Sequence, residues 1–128
     1  MKTRCTVALT LSAGVAVGAL AVQALHAQSK PPVYYVAQIE VTDQAGYQRE
    51  FVPQSQKQVQ AKGGRFLVQG GKVTPLVGNP PAPRIVIQQW DSMETLTSWY
   101  NSDEQKKLRD IQAKFAKVQS FVVEGRAR

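Results

Sequence analysis

Cysteine and histidine are nearly missing from these 128 residues: there is one of each, Cys5 and His26, and both fall within the first 27 positions. Beyond residue 27 the chain therefore has no disulfide, no thiolate nucleophile and no cysteine-bound metal. Without imidazole it also lacks the usual general base and the commonest metal ligand. Neither a metal nor a cofactor is expected. A phosphate-cradling loop is missing too, since the pairs Gly63-Gly64 and Gly70-Gly71 precede strand patterns instead of helices. The basic excess, 16 Lys and Arg against 9 Asp and Glu, invites nucleic acid, but the strand patterns at 33–41 and 65–69 lack the glycine-aromatic signature of an RNA-recognition strand. No nucleic-acid partner is expected.

The chain opens with a short basic start, MKTR, and a run at 5–22 of small and apolar residues without charge. Small residues at Ala24 and Ala27 suit signal-peptidase cleavage, so residues 1–27 read as a secretory signal peptide, with a retained membrane anchor as the second reading. The expected compartment is periplasmic or secreted, and an uncleaved segment would be the only tie to a membrane. Loss of Lys2 and Arg4 leaves 14 basic against 9 acidic side chains, a net +5.

After a polar linker at 28–32, VYYVAQIEV at 33–41 has the period of a strand, with Val33, Tyr35, Ala37, Ile39 and Val41 on one face. Thr42 or Asp43 can cap a helix running to about Lys62, which Pro53 interrupts by removing a bond to Arg49. Gly63-Gly64 stops it, RFLVQ at 65–69 is a strand, and Gly70-Gly71 predicts a hairpin returning through 72–77 as an edge strand containing Pro75. Residues 78–83, GNPPAP, form a loop. RIVIQQW at 84–90 is apolar in both phases, so both faces need cover. Asp91 with Glu94 offers a capping box, and Met93, Leu96, Trp99 and Tyr100 follow at helical spacing. Asn101 suits a left-handed C-cap, and Ser102 with Gln105 starts a second helix bearing Leu108, Ile111 and Phe115. A final strand spans 118–124, before a basic tail at 126–128.

The order is strand, helix, strand with a hairpin, strand, helix, strand: an α+β ferredoxin-like βαββαβ sandwich with an extra hairpin strand. Two helices cover one face of such a sheet. The other face is expected to carry Val36, Val86 and Trp90, too apolar for water, so a homodimer packing two sheets face to face is the economical solution.

The runs YYVAQIEVTDQAGYQ, GGRFLVQGGKV and SMETLTSWYNSDEQKKLR, closed by FVVEG, resemble the domain-of-unknown-function 1330 family of dimeric α+β barrels, over 33–125. The resemblance implies the ferredoxin-like dimer and leaves the activity open. Related barrels include cofactor-independent monooxygenases, muconolactone-type isomerases and haem-degrading enzymes. The chain departs from the family pattern where an acidic residue often stands at Gln38, a Glu-Phe pair at Gln89-Trp90, and Pro-Glu-Tyr at Asp103-Glu104-Gln105.

Candidate catalytic groups are Glu40, Arg65 and Arg109: a carboxylate that desolvation could turn into an acid or base, and two guanidiniums able to hold a carboxylate or enolate in a bidentate grip. Gln38, Trp90 and Tyr100 join these three as candidate ligand contacts. Each has an ordinary alternative. Glu40 suits a strand-end ion pair, the arginines could bridge Glu40, Asp110 or Glu124, and the aromatics could be core. The expected function is binding of a small apolar or aromatic acid inside the barrel, with a cofactor-independent monooxygenase- or isomerase-type enzyme as the alternative.

Overall fold

The computed structural model describes residues 30–127. The expected signal segment at 1–27 and the start of the linker lie outside the described residues. The folded unit, Pro31–Arg126, holds four antiparallel strands, β1 (Val33–Val41), β2 (Arg65–Gln69), β3 (Arg84–Trp90) and β4 (Ala116–Glu124), in the lateral order β2-β3-β1-β4. Its helices are α1 (Gln44–Gly46), one π-helical turn (Tyr47–Phe51), α2 (Val52–Ala61), α3 (Met93–Tyr100) and α4 (Asp103–Phe115). This is the expected ferredoxin-like α+β fold.

Local chemistry explains most boundaries. Asp43 caps α1, its Oδ1 accepting from the Gly46 amide at 3.1 Å. Pro53 has no N–H for the Arg49 carbonyl, and the turn just before it widens so that the Val52 amide reaches back to Tyr47. The end of α2 is a Schellman motif: Gly64 N–H donates to the Val59 carbonyl at 2.8 Å and Gly63 N–H to Gln60 at 3.3 Å. Gly63 takes φ +98 there, a conformation that other residues reach only at a cost. Ser102 caps α4 by accepting from the Gln105 amide at 3.3 Å.

Four expectations are corrected. Residues 72–77 form no strand, so the hairpin extension is absent and β2 is the sheet edge. Pro75 could not complete a ladder, and Gly70, at φ +76, turns the chain away after donating to the Ile85 carbonyl at 2.9 Å. The cap of α3 is Ser92, whose Oγ accepts from Thr95 N–H, instead of Asp91. Asn101 is not left-handed, with φ −92 and ψ 2.

The fourth correction concerns β3. Val86 and Trp90 lie on the helix side and are buried within the single chain, Trp90 completely. Register decides this: Trp90 pairs with Val33, Gln88 with Tyr35 and Val86 with Ala37, and residues directly opposite one another share a face. The helix-side core also takes Ile39, Tyr47, Phe51, Val59, Leu96, Trp99 and Leu108. Trp90 packs on Trp99 with ring centroids 5.1 Å apart, and Gly64 fits against the Trp90 indole so closely that an added Cβ would sit 2.5 Å from its ring.

The opposite face is open and carries Val36 as expected, but Val68, Ile87 and Phe121 stand there in place of Val86 and Trp90. Val68, Ile87, Val36 and Phe121 form one lateral row across all four strands, and Phe121 and Val123 are about half exposed there.

Candidate functional site

The sheet divides the six candidates between its two sides. Gln38, Glu40 and Arg65 belong to the open face. Gln38 Oε1 accepts from the Ala82 amide at 3.4 Å, holding the proline-rich loop. Glu40 is exposed and pairs across the strands with Lys117. Arg65 Nη2 donates to Gln89 Oε1 at 2.8 Å, in the row of Tyr34. Since Tyr34 and Glu40 are six residues apart on β1, Glu40 and Arg65 stand about 20 Å apart along the strand direction.

Trp90, Tyr100 and Arg109 lie on the helix side. Trp90 is core, its Nε1 donating to Gln88 Oε1 at 3.0 Å. Arg109 lies over the Tyr100 ring, 3.9 Å from its centroid, and donates to the Tyr100 carbonyl at 2.8 Å. Its guanidinium thus secures the C-terminus of α3 through a cation–π contact and a main-chain bond. The single chain therefore brings neither Arg65 nor Arg109 to Glu40.

Polar groups converge instead between the sheet and the helices. The π turn and the first turn of α2 form one wall of a cleft, contributing Tyr47, Phe51, Val52 and Ser55. The sheet contributes Tyr35, Phe66, Gln69, Arg84, Val86 and Gln88, and the helices add Trp99, Gln105 and Gln112. The cleft has ≈ 440 Å³ of unfilled space out to its mouth around a cavity of ≈ 30 Å³, room for one or two waters. It is a slot walled by aromatic rings.

Arg84 is the only charge in the lining. Its guanidinium carbon is 5.4 Å from the centre of the Tyr47 ring, and Gly70 leaves the space it occupies, where any Cβ would collide with the guanidinium. The buried Arg84 Nε has no hydrogen-bond partner, and neither has Gln105 Oε1. Buried polar atoms left unpaired are unfavourable and uncommon. No carboxylate lines the slot, so an anion there would meet Arg84 unopposed.

Burial raises the hydroxyl pKa of Tyr47 above its ordinary 10.0, against the lowering effect of hydrogen bonds with Gln112 and Arg84. Burial likewise raises that of Tyr35, against a hydrogen bond with Ser120. Both are therefore proton donors at neutral pH, not bases. Because their folded values exceed the unfolded one, their contribution to stability is complete below about pH 10 and is lost as pH climbs through the folded values. Ultraviolet titration of tyrosinate alongside circular dichroism should show Tyr35 and Tyr47 ionising above the ordinary 10.0, with stability falling in the same alkaline window. Ionisation of Tyr35 and Tyr47 at or below 10.0 would contradict the burial argument.

Sequence reasoning missed Tyr47, Arg84, Gln88, Gln105 and Gln112 as a group. One signal was available: Gln105 and Gln112 share the inward stripe of α4 with Leu108, at a spacing that normally carries apolar residues only.

A family model described as a domain of unknown function, DUF1330, matches residues 32–126. No curated protein matches the sequence. Among solved structures, the chain is similar to a protein of unknown function from Rhodopseudomonas palustris, at 11% identity and TM-score 0.55, covering 77% of this chain and 85% of that one. It is also similar to SnoaB, a cofactor-independent oxygenase from Streptomyces nogalater, at 10% identity and TM-score 0.56, covering 77% of this chain and 96% of that one. At such identities the likeness is one of fold.

Proposed function

This chain belongs to the DUF1330 family, and from that premise we propose that it is an exported, homodimeric binding protein for a small, flat aromatic acid. The acid's carboxylate reaches into the slot between sheet and helices while its ring stays in the wider space toward the mouth, and this slot replaces the space between two paired sheets as the binding place. The observation that carries this reading is the buried Arg84 Nε without a partner, in an aromatic slot that contains no carboxylate. A carboxylate on the guanidinium gains charge-assisted hydrogen bonds, while the ring packs against the aromatic walls toward the mouth of the slot.

Benzoate is a suitable probe by isothermal titration. Saturable binding is expected, weakened by about 10- to 100-fold in Arg84→Met, since hydrogen bonds to a charged group are worth about 1.5–3 kcal/mol. Equal binding by Arg84→Met would sink the assignment.

The likeness to a cofactor-independent oxygenase supports an enzyme as the second reading. That reading asks for a proton acceptor beside the substrate. The ionisable side chains lining the slot are Tyr35, Tyr47 and Arg84, and all three are protonated at neutral pH. Donors without a base favour holding an anion over abstracting a proton, so binding takes precedence.

A further inference from the structure

The segment between β2 and β3 is an arm fastened at both feet. Gly70 N–H donates to the Ile85 carbonyl at 2.9 Å, and Ala82 N–H donates to Gln38 Oε1 at 3.4 Å. Gln38 belongs to the open face, so the second foot stands on that side of the sheet. Between the feet every residue of 71–81 except Val73 is exposed, and the tip carries Leu76 and Val77, 95% and 94% exposed. A single exposed aliphatic side chain is ordinary, whereas two adjacent ones held clear of their own chain ask for a partner. Pro80, Pro81 and Pro83 stiffen the descending leg, so less freedom is lost when the tip is held in place.

The open face differs from end to end along β1 and β4. Beside the second foot, Gln38 pairs with Gln119 and Glu40 with Lys117, and these four side chains surround Ala82 in a polar recess. Toward the other end Val36 pairs with Phe121 and Tyr34 with Val123, and there the half-exposed groups are apolar. A twofold axis lying between two facing sheets and running across the strands sets the arm end of one copy over the Phe121 and Val123 end of the other. Packed sheets stand about 10 Å apart, and five residues of extended chain reach about 17 Å, so the tip can cross the gap. We propose that residues 71–83 are a clasp: in the homodimer of the proposed function, on which this inference rests, Leu76 and Val77 of each copy close over the partner's Phe121 and Val123. The two clasps are equivalent by symmetry, so assembly closes at two copies and does not propagate.

Light scattering at graded concentrations and a cross-link test the clasp on the purified protein. Leu76→Ser combined with Val77→Ser changes exposed positions only and should leave Tm in place. It is expected to weaken association by about 100-fold or more, since apolar burial is lost at both ends of the dimer. A photoreactive benzophenone amino acid in place of Leu76 should yield a covalent product of twice the chain mass, joined to the peptide that carries Phe121 and Val123. Wild-type protein of single mass at all concentrations overturns the clasp and the homodimer together. A doubled mass that the double substitution leaves unchanged overturns the clasp alone, and the homodimer stands. The clasp also falls if no doubled covalent product forms, if the link joins another part of the second copy, or if it stays within one chain, with the arm lying back over its own sheet.

Discussion

Truncating Trp90 to alanine is expected to destabilise the folded unit by about 3–5 kcal/mol, the usual cost of emptying a large aromatic site in a core. The side chain is fully buried, packs on Trp99 and touches Gly64 at a distance that forbids a Cβ. Its removal also takes the donor from Gln88 Oε1, leaving an acceptor stranded in the core. For a domain of this size the loss corresponds to a fall of roughly 15–30 °C in Tm, readable by thermal circular dichroism. Gly64→Ala tests the same contact from the other side. It should cost about 1–3 kcal/mol alone and distinctly less in a Trp90→Leu background, so that the two changes are non-additive. A drop below about 1 kcal/mol for Trp90→Ala would mean that this joint between sheet and helices is not where stability is concentrated.

The second large effect concerns assembly. If the open face is where two copies meet, Ile87→Asp should convert a species of twice the chain mass into one of single mass in light scattering. Ile87 sits within the row Val68, Ile87, Val36 and Phe121, and an unpaired carboxylate buried there costs several kcal/mol, weakening association by about 100-fold or more. Lys106→Glu, on an exposed position of α4, changes charge away from the sheet and should leave the mass doubled. Wild-type protein of single mass at all concentrations would remove the homodimer from the proposed function.

Periodicity was enough to locate the elements wherever one phase was unambiguous. The alternation in Val33–Val41 agrees with the observed strand end to end, and Asp43, Gly63-Gly64 and Ser102 act as punctuation where their side chains or backbone freedom suggest. RIVIQQW offers apolar residues in both phases, so its inward face could not be read locally. The choice falls to even-numbered residues because their partners on β1 face the helices, and burying Gln88 becomes tolerable once the Trp90 indole satisfies it. Asp91 and Ser92 are both good caps by residue type, and Ser92 takes the position. The slot was hidden for a related reason. Its polar groups come from β1, the π-helical turn, α2, β2, β3 and α4, and the feature that marks Arg84, an unpaired buried nitrogen, exists only after folding.

The two indoles stacked against each other are also an optical gauge built into the chain. Trp90 and Trp99 are its only tryptophans, both are sealed from solvent, and rings 5.1 Å apart couple their excited states. Emission and near-ultraviolet ellipticity therefore report on the interior at a single point. They will register a molecule that spreads the helices from the sheet, and they will be blind to whatever settles on the far side of the strands.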